Sequence, residues 1–136
     1  MARNGLPIEN QSVEPEESKR PEKTNGKDVH VLDPIGNKIT LQMDTWEKHI
    51  AAKHPEIREM LKLVMETLSS PQIVIQQGLG GVCFYYRLTG RSFYRYNDIY
   101  MSVIVDLDEI TKIGVVRTAY LVKEIQKGRV IWMQRN

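Results

Sequence analysis

The feature that most constrains this chain is a change of hydrophobic pattern at Pro71. Before it, apolar side chains recur at helical spacing, as Ile57, Leu61 and Val64 do. After it, β-branched and aromatic runs alternate with short polar connections, which is typical of consecutive antiparallel strands. The strands predicted beyond this point cover residues 72–77, 82–88, 92–96, 99–107, 112–121 and 129–133.

A β-hairpin and a helix are predicted ahead of those strands. Residues 29–33 and 38–43 alternate apolar and polar side chains. The Pro-Ile-Gly-Asn segment at 34–37 between them is a predicted turn, because proline presets φ and glycine tolerates a positive φ. The first helix follows directly, and Asp44 or Thr45 is expected to cap its start.

The helices complete the predicted fold. Trp46 and His49 share one face of the first helix, so both are expected to contribute mainly to stability. A second helix is predicted over residues 55–69, because Pro55 suits a first helical turn. This order of elements predicts an α+β fold, in which an N-terminal hairpin and two helices pack on a four- to five-stranded antiparallel sheet.

Composition limits the domain organisation. Residues 1–28 hold few apolar side chains and three prolines, which predicts a disordered tail ahead of a single domain over residues 29–136. The single cysteine excludes an internal disulfide, and no segment combines the length and apolarity of a membrane span. We therefore expect a soluble, cytoplasmic protein. The formal net charge of +2 does not by itself identify a partner.

One candidate for proton-transfer chemistry is the segment from His49 to Glu56. His54 precedes Pro55 at the start of the second predicted helix, where free backbone amides favour anions. A histidine can pass protons near neutral pH, and the neighbouring Lys53 can hold a phosphate. The alternative is that His54 only caps the helix and that His49 is a half-buried packing residue.

A second candidate is the strand motif that contains Arg117, Thr118 and Tyr120. Strand alternation predicts that Arg117 faces one side of the sheet and that Thr118 and Tyr120 face the other. The guanidinium group of Arg117 matches the geometry of phosphate oxygens. The alternative is an exposed ion pair between Arg117 and either Asp106 or Glu109.

Aromatic and basic residues are interleaved from Tyr85 to Tyr100. Single-stranded RNA is held by aromatic rings that stack on its bases and by cations that hold its phosphates, so this pattern fits RNA binding. Because aromatic residues are also common in strands, the alternative is a face that is half core and half solvated. The residues are Tyr85, Tyr86, Arg87, Arg91, Phe93, Tyr94, Arg95, Tyr96 and Tyr100.

Other chemistries lack their sequence motifs. No group of residues has the spacing of a metal site, and the P-loop, the dinucleotide fingerprint and the Gly-x-Ser-x-Gly elbow are absent. The sequence therefore predicts no metal and no cofactor. It also disfavours nucleotide hydrolases, dehydrogenases and serine esterases.

Taken in order along the chain, the motifs resemble those of a known nuclease family. They are Thr45-Trp46-x-x-His49-Ile50, Lys53-His54-Pro55-Glu56, Leu68-x-x-Pro71-x-Ile73, Tyr85-Tyr86-Arg87 and Val116-Arg117-Thr118-Ala119-Tyr120. Over residues 29–133 the chain looks like the phage-type nucleases that are similar to barnase, EndoU, the tRNA-cleaving colicins and the RelE toxins.

The resemblance implies a metal-independent, toxin-like endoribonuclease from a phage or another mobile element, acting on tRNA or another structured RNA. In such enzymes the RNA 2′-hydroxyl attacks the adjacent phosphate. His54 would transfer a proton, Arg117 would stabilise the phosphorane charge, and Thr118 would donate a hydrogen bond to the phosphate. The general base has no assigned residue. The implied substrate-binding residues are His49, Lys53, Arg87, Tyr85, Tyr86 and Tyr120.

The competing hypothesis is a non-catalytic module that binds RNA or protein, such as an antitoxin, an adaptor or an inactivated nuclease. In that case the aromatic sheet face is an interaction surface and Arg117 pairs internally. A nuclease would have RNA as its partner and an immunity or antitoxin protein as its inhibitor. The two hypotheses differ on whether His54, Arg117 and Thr118 converge on one phosphate.

Overall fold

The structure is a computed structural model that describes residues 28–90 and 99–135. The predicted tail, apart from Asp28, and the strand predicted over residues 92–96 lie outside the described residues. Within the two described ranges, no helix is both long enough and apolar enough to traverse a lipid bilayer.

The described residues form a sheet with helical segments on one side. A continuous helical stretch at residues 43–53, here α1, is α-helical at Met43–Thr45 and Ala51–Lys53 and π-helical at Trp46–Ile50 between them. A 3-10 turn covers Pro55–Ile57, and α2 covers Leu61–Ser69. The strands are β1 (Val29–Leu32), β2 (Lys38–Leu41), β3 (Ile73–Gln77), β4 (Val82–Leu88), β5 (Tyr100–Asp108), β6 (Ile113–Val122) and β7 (Arg129–Met133).

The sheet corrects the predicted architecture. Its described part has seven strands in the order β1-β2-β6-β5-β4-β3-β7. It is mixed, because β2 runs parallel to β6 while the other neighbours are antiparallel. The prediction of two helices on a four- to five-stranded antiparallel sheet is therefore wrong. Alternating apolar and polar side chains predict that a segment is a strand. They do not predict which strand becomes its neighbour, because that depends on hydrogen bonds between residues distant in the sequence.

The helical segments also begin elsewhere than predicted. Met43 is the first helical residue, and its N–H donates to the carboxylate of Asp28 at 3.0 Å, so neither Asp44 nor Thr45 is the cap. The second helix begins at Leu61 rather than at residue 55, because the segment that starts with Pro55 forms a separate 3-10 turn. The bond from Met43 shows that Asp28 packs with the domain.

The hydrophobic core lies between the helices and one face of the sheet, here the helix face. Trp46 is 5% exposed and Ile50 is fully buried, which confirms Trp46 as a core residue. His49 is exposed, so the prediction that it shares the buried face is wrong. A π-helical turn holds more residues than an α-helical turn, which rotates a side chain three positions after Trp46 off the buried face.

A buried carboxylate fixes the hairpin turn to the centre of the sheet. Asp33 is 4% exposed, and its Oδ1 accepts hydrogen bonds from the N–H groups of Ile35, Gly36 and Asn37 at 2.7–2.9 Å. Its Oδ2 accepts bonds from the Asn37 amide at 2.8 Å and from the Tyr85 hydroxyl at 2.5 Å. The hairpin is thereby tied to β4.

The other side of the sheet, here the crossover face, is partly covered by the connection from β6 to β7. Residues 123–128, here the strap, must cross β5, β4 and β3 because β7 lies at the far edge of the sheet. The Gln126 N–H donates to the Tyr86 hydroxyl at 3.0 Å. At Gly128 a Cβ would lie 2.5 Å from Ile75 Cγ2 and 2.8 Å from the Gln76 carbonyl oxygen, so the strap closes on β3 only with glycine.

Replacing Trp46 with alanine is expected to lower the free energy of unfolding by about 3–5 kcal/mol, because a large buried side chain leaves a cavity. Urea denaturation followed by circular dichroism measures the change. His49→Ala on the same helical stretch is the control and should leave stability nearly unchanged, since its side chain is exposed. Equal losses in both variants would contradict this packing.

Tyr85→Phe is expected to destabilise the protein by about 1–3 kcal/mol, because Asp33 loses a buried donor. Burial first, and the hydrogen bond to Asp33 second, raise the pKa of Tyr85. The folded protein therefore keeps the phenol proton where the unfolded chain releases it, above pH ~10. Unfolding measured against pH should show stability that falls above that pH, with a shallower fall in Tyr85→Phe. An unchanged slope would contradict the role of Tyr85.

Candidate functional site

A β-bulge in β6 decides which way the predicted site residues point. The register with β5 shifts between Val116 and Thr118, which leaves Arg117 as the extra residue. Val116 and Ala119 both pack in the core on the helix face. Strand alternation then directs Thr118 and Tyr120 to the crossover face.

His54 joins this part of β6 from the end of α1. Its ring centroid lies 5.3 Å from that of Tyr120, with the ring planes tilted by 43°. Its Nδ1 lies 3.8 Å from a carboxylate oxygen of Glu56, and its side chain is 31% exposed. It makes no side-chain capping bond, although it is the residue before the 3-10 turn. The structure thus places a solvent-accessible imidazole between a carboxylate and a phenol.

Arg117 forms an ion pair with Asp106, which is the alternative to phosphate binding that the sequence offered. Its Nε donates to one carboxylate oxygen of Asp106 at 3.1 Å and its Nη2 to the other at 2.5 Å. This hydrogen bonding raises the pKa of Arg117. Asp106 points to the crossover face, so the bulge brings Arg117 to the same side as Thr118, and the prediction of opposite sides is wrong.

The Arg117 ion pair lies at some distance from His54. Tyr120, which contacts His54, pairs with Ser102 on β5, whereas the guanidinium group is held at Asp106 on the same strand. Four residues of extended strand separate these two β5 positions by ~13 Å. His54 and Arg117 therefore do not converge on one phosphate in this arrangement. Thr118 lies between them.

Three of the residues predicted to bind substrate make contacts within the protein instead. Tyr85 is fully buried, and its hydroxyl donates to the Asp33 carboxylate. Tyr86 is 2% exposed, and its hydroxyl accepts a hydrogen bond from the strap. Neither ring has a free face on which a base could stack, so that role is corrected for both. Arg87 donates from Nη1 to the Ser70 carbonyl oxygen at 2.7 Å. This contact ties Arg87 to the end of α2.

The remaining predicted contacts lie on α1. His49 and Lys53 are both exposed. Lys53 directly precedes His54 in the chain, and no described contact joins its ammonium group to the imidazole. His49 is rotated away by the π-helical turn, and the described contacts do not bring it to Tyr120 or Thr118.

Sequence reasoning did not assign Glu56 a role, although it belongs to the Lys53-His54-Pro55-Glu56 motif. The signal that could have identified it is its position two residues after His54, across a proline that turns the chain. Glu56 also lines a groove of about 260 Å³. The groove is lined by Glu56, Ile99, Leu121, Val122 and Lys123.

The described residues include no group of three or more histidine, cysteine, aspartate or glutamate side chains placed to hold a metal ion.

Comparison with known proteins identifies no relative of this chain. No protein-family model matches the chain, and neither the curated proteins nor the solved structures contain a match. Any functional conclusion therefore depends on the chemistry of the residues around His54.

Proposed function

We propose that this chain is an endoribonuclease that needs no metal ion and cleaves RNA by attack of the 2′-hydroxyl on the adjacent phosphate. One observation carries the proposal: His54 stands half-exposed between the Tyr120 ring and the carboxylate of Glu56, a residue that lines a groove. An imidazole and a carboxylate at one exposed corner are the groups that general acid–base catalysis requires.

The geometry suggests how the two groups share the proton transfers. Nδ1 of His54 faces Glu56, which leaves Nε2 on the other side of the ring for substrate. Glu56 takes the proton of the 2′-hydroxyl as its oxygen bonds to phosphorus. His54 donates a proton from Nε2 to the 5′-oxygen as its bond to phosphorus breaks. The products are a 2′,3′-cyclic phosphate and a 5′-hydroxyl, so atoms and charges balance.

Thr118 and Arg117 would hold the RNA backbone beside the reacting phosphate. Thr118 lies one step along the same face from Tyr120 and can donate to a phosphate oxygen. Arg117 would hold a neighbouring phosphate rather than the scissile one, because it is held at Asp106, ~13 Å along β5 from the residue that pairs with Tyr120. An exposed ion pair contributes little to stability, so a phosphate can displace Asp106.

The substrate would be tRNA or another cytoplasmic RNA, and no cofactor would take part. An immunity or antitoxin protein that covers the His54 corner would act as the inhibitor.

A second candidate is a non-catalytic module that binds RNA or protein. The observation that favours it is the Arg117–Asp106 ion pair, which keeps the strongest phosphate-binding group of the site away from His54. This candidate predicts RNA binding or protein binding without cleavage. Incubation with total tRNA in EDTA, followed by mapping of fragment ends, separates the two.

His54→Ala is expected to reduce the cleavage rate by about 10²–10⁴-fold, because a general acid is lost. His30→Ala is the matched control, since His30 is an exposed histidine on β1, bonded to Thr40 rather than to the site. Cleavage is measured on labelled tRNA in EDTA, with circular dichroism as the test of folding. Full activity of His54→Ala, or a requirement for a divalent ion, would overturn the mechanism.

Arg117→Ala is expected to raise KM several-fold and to change kcat little, because the guanidinium group holds a flanking phosphate. The dependence of KM on salt should also become less steep, since one fewer counterion is released on binding. Steady-state kinetics at two salt concentrations measure both effects. A loss in kcat as large as that of His54→Ala would instead place Arg117 on the scissile phosphate.

A further inference from the structure

The half-buried part of the crossover face carries two aromatic rings. Tyr120 lies on β6 and Phe84 on β4, and both point to this face. The Phe84 ring lies nearly parallel to that of Tyr86, with centroids 6.3 Å apart and planes 15° apart. Tyr100 contacts the same Tyr86 ring edge-on. The buried Tyr86 therefore holds Phe84 in a fixed orientation, with one side of that ring supported.

A polar group lies in the floor between these rings. Ser102 is fully buried, and in register it stands between Tyr86 and Tyr120. Because Ser102 is fully buried, it belongs to the floor of this face and not to the surface that a ligand contacts.

Three polar groups lie at every second residue of β5 along the same face. His54 meets Tyr120, which pairs with Ser102; Thr118 pairs with Ile104; and the Arg117 guanidinium group is held at Asp106. Each two-residue step along a strand advances the chain by ~7 Å. That step is close to the separation of successive phosphates in an extended nucleic-acid strand. The spacing of the three polar groups therefore matches an RNA backbone that runs along β6.

We infer that the crossover face binds single-stranded RNA, with one base stacked on Tyr120, another on Phe84 and the backbone along β6. A sheet face with half-exposed rings can stack only bases that are free of their neighbours, and a duplex keeps its bases stacked inside. The inference rests on the proposed function for the choice of RNA as substrate. It narrows that substrate to unpaired segments, such as loops and single-stranded ends.

The test measures binding separately from cleavage. The probe is a fluorescein-labelled 2′-O-methyl hexanucleotide, which cannot be cleaved because it lacks the 2′-hydroxyl, and its anisotropy is followed with the full chain. We expect the single strand to bind at least tenfold more tightly than the same sequence in a duplex. Tyr120→Leu should weaken binding by about 5- to 150-fold, the usual effect of losing one stacked base. Tyr120→Phe keeps the ring and should bind nearly as tightly as the unmodified chain.

A second measurement uses the unaltered protein, so a folding defect cannot obscure the result. A 5-iodouridine probe of the same length is irradiated on the protein, and the adducts are mapped by mass spectrometry. Adducts on Tyr120 or Phe84 support the inference, whereas adducts confined to other surfaces overturn it. Equal binding of duplex and single strand overturns it as well, as does unchanged binding by a folded Tyr120→Leu variant.

The outcomes separate this inference from the proposed function. If His54→Ala abolishes cleavage while Tyr120→Leu binds normally, the nuclease stands and the stacking surface is overturned. If the uncleavable strand binds through Tyr120 but no RNA is ever cleaved, the surface stands and the nuclease is overturned. If no nucleic acid binds, both are overturned and a protein ligand becomes the better explanation of this face.

Discussion

The buried Asp33 carboxylate is the interaction on which the rest of the structure depends. A carboxylate removed from water is costly unless donors surround it, and here three backbone N–H groups and two side chains supply them. Through Tyr85 the carboxylate holds the β1–β2 hairpin to β4. The hairpin in turn pairs β2 with β6 and directs the chain into α1. Because α1 follows the hairpin directly in the chain, this anchor and the core packing of Trp46 and Ile50 together place His54 at the end of α1.

The end of the β2–β6 pairing and the β6 bulge together create the candidate site. The described pairing stops at Thr40 and Val115, and the bulge at Arg117 follows directly. In a regular strand without the bulge, alternation would direct Thr118 and Tyr120 to the same face as Val116, in the core. With it they face outward, where the His54 ring meets Tyr120. One irregular residue therefore decides whether this corner is core or surface.

Residues of the same type in similar sequence motifs lie in different environments in the structure. Tyr85 and Tyr120 are both aromatic strand residues, yet one is fully buried on a carboxylate and the other is half-exposed beside a histidine. His49 and His54 both belong to the helical motif, but His49 lies in the π-helical turn and is exposed, whereas the ring of His54 contacts Tyr120. Burial depends on what packs above a side chain, and a short sequence motif does not contain that information.

The sequence by itself determined the local features. The hairpin turn, Trp46 as a core residue, and the strand segments after Pro71 that the structure describes all follow from periodicity and turn chemistry, which act between residues close in the chain. The tertiary structure alone decided the mixed seven-stranded order, the direction of Arg117 and the contact of the His54 ring with Tyr120. These depend on hydrogen bonds and packing between segments far apart in sequence. No local pattern encodes such contacts, because each requires the whole sheet to be assembled first.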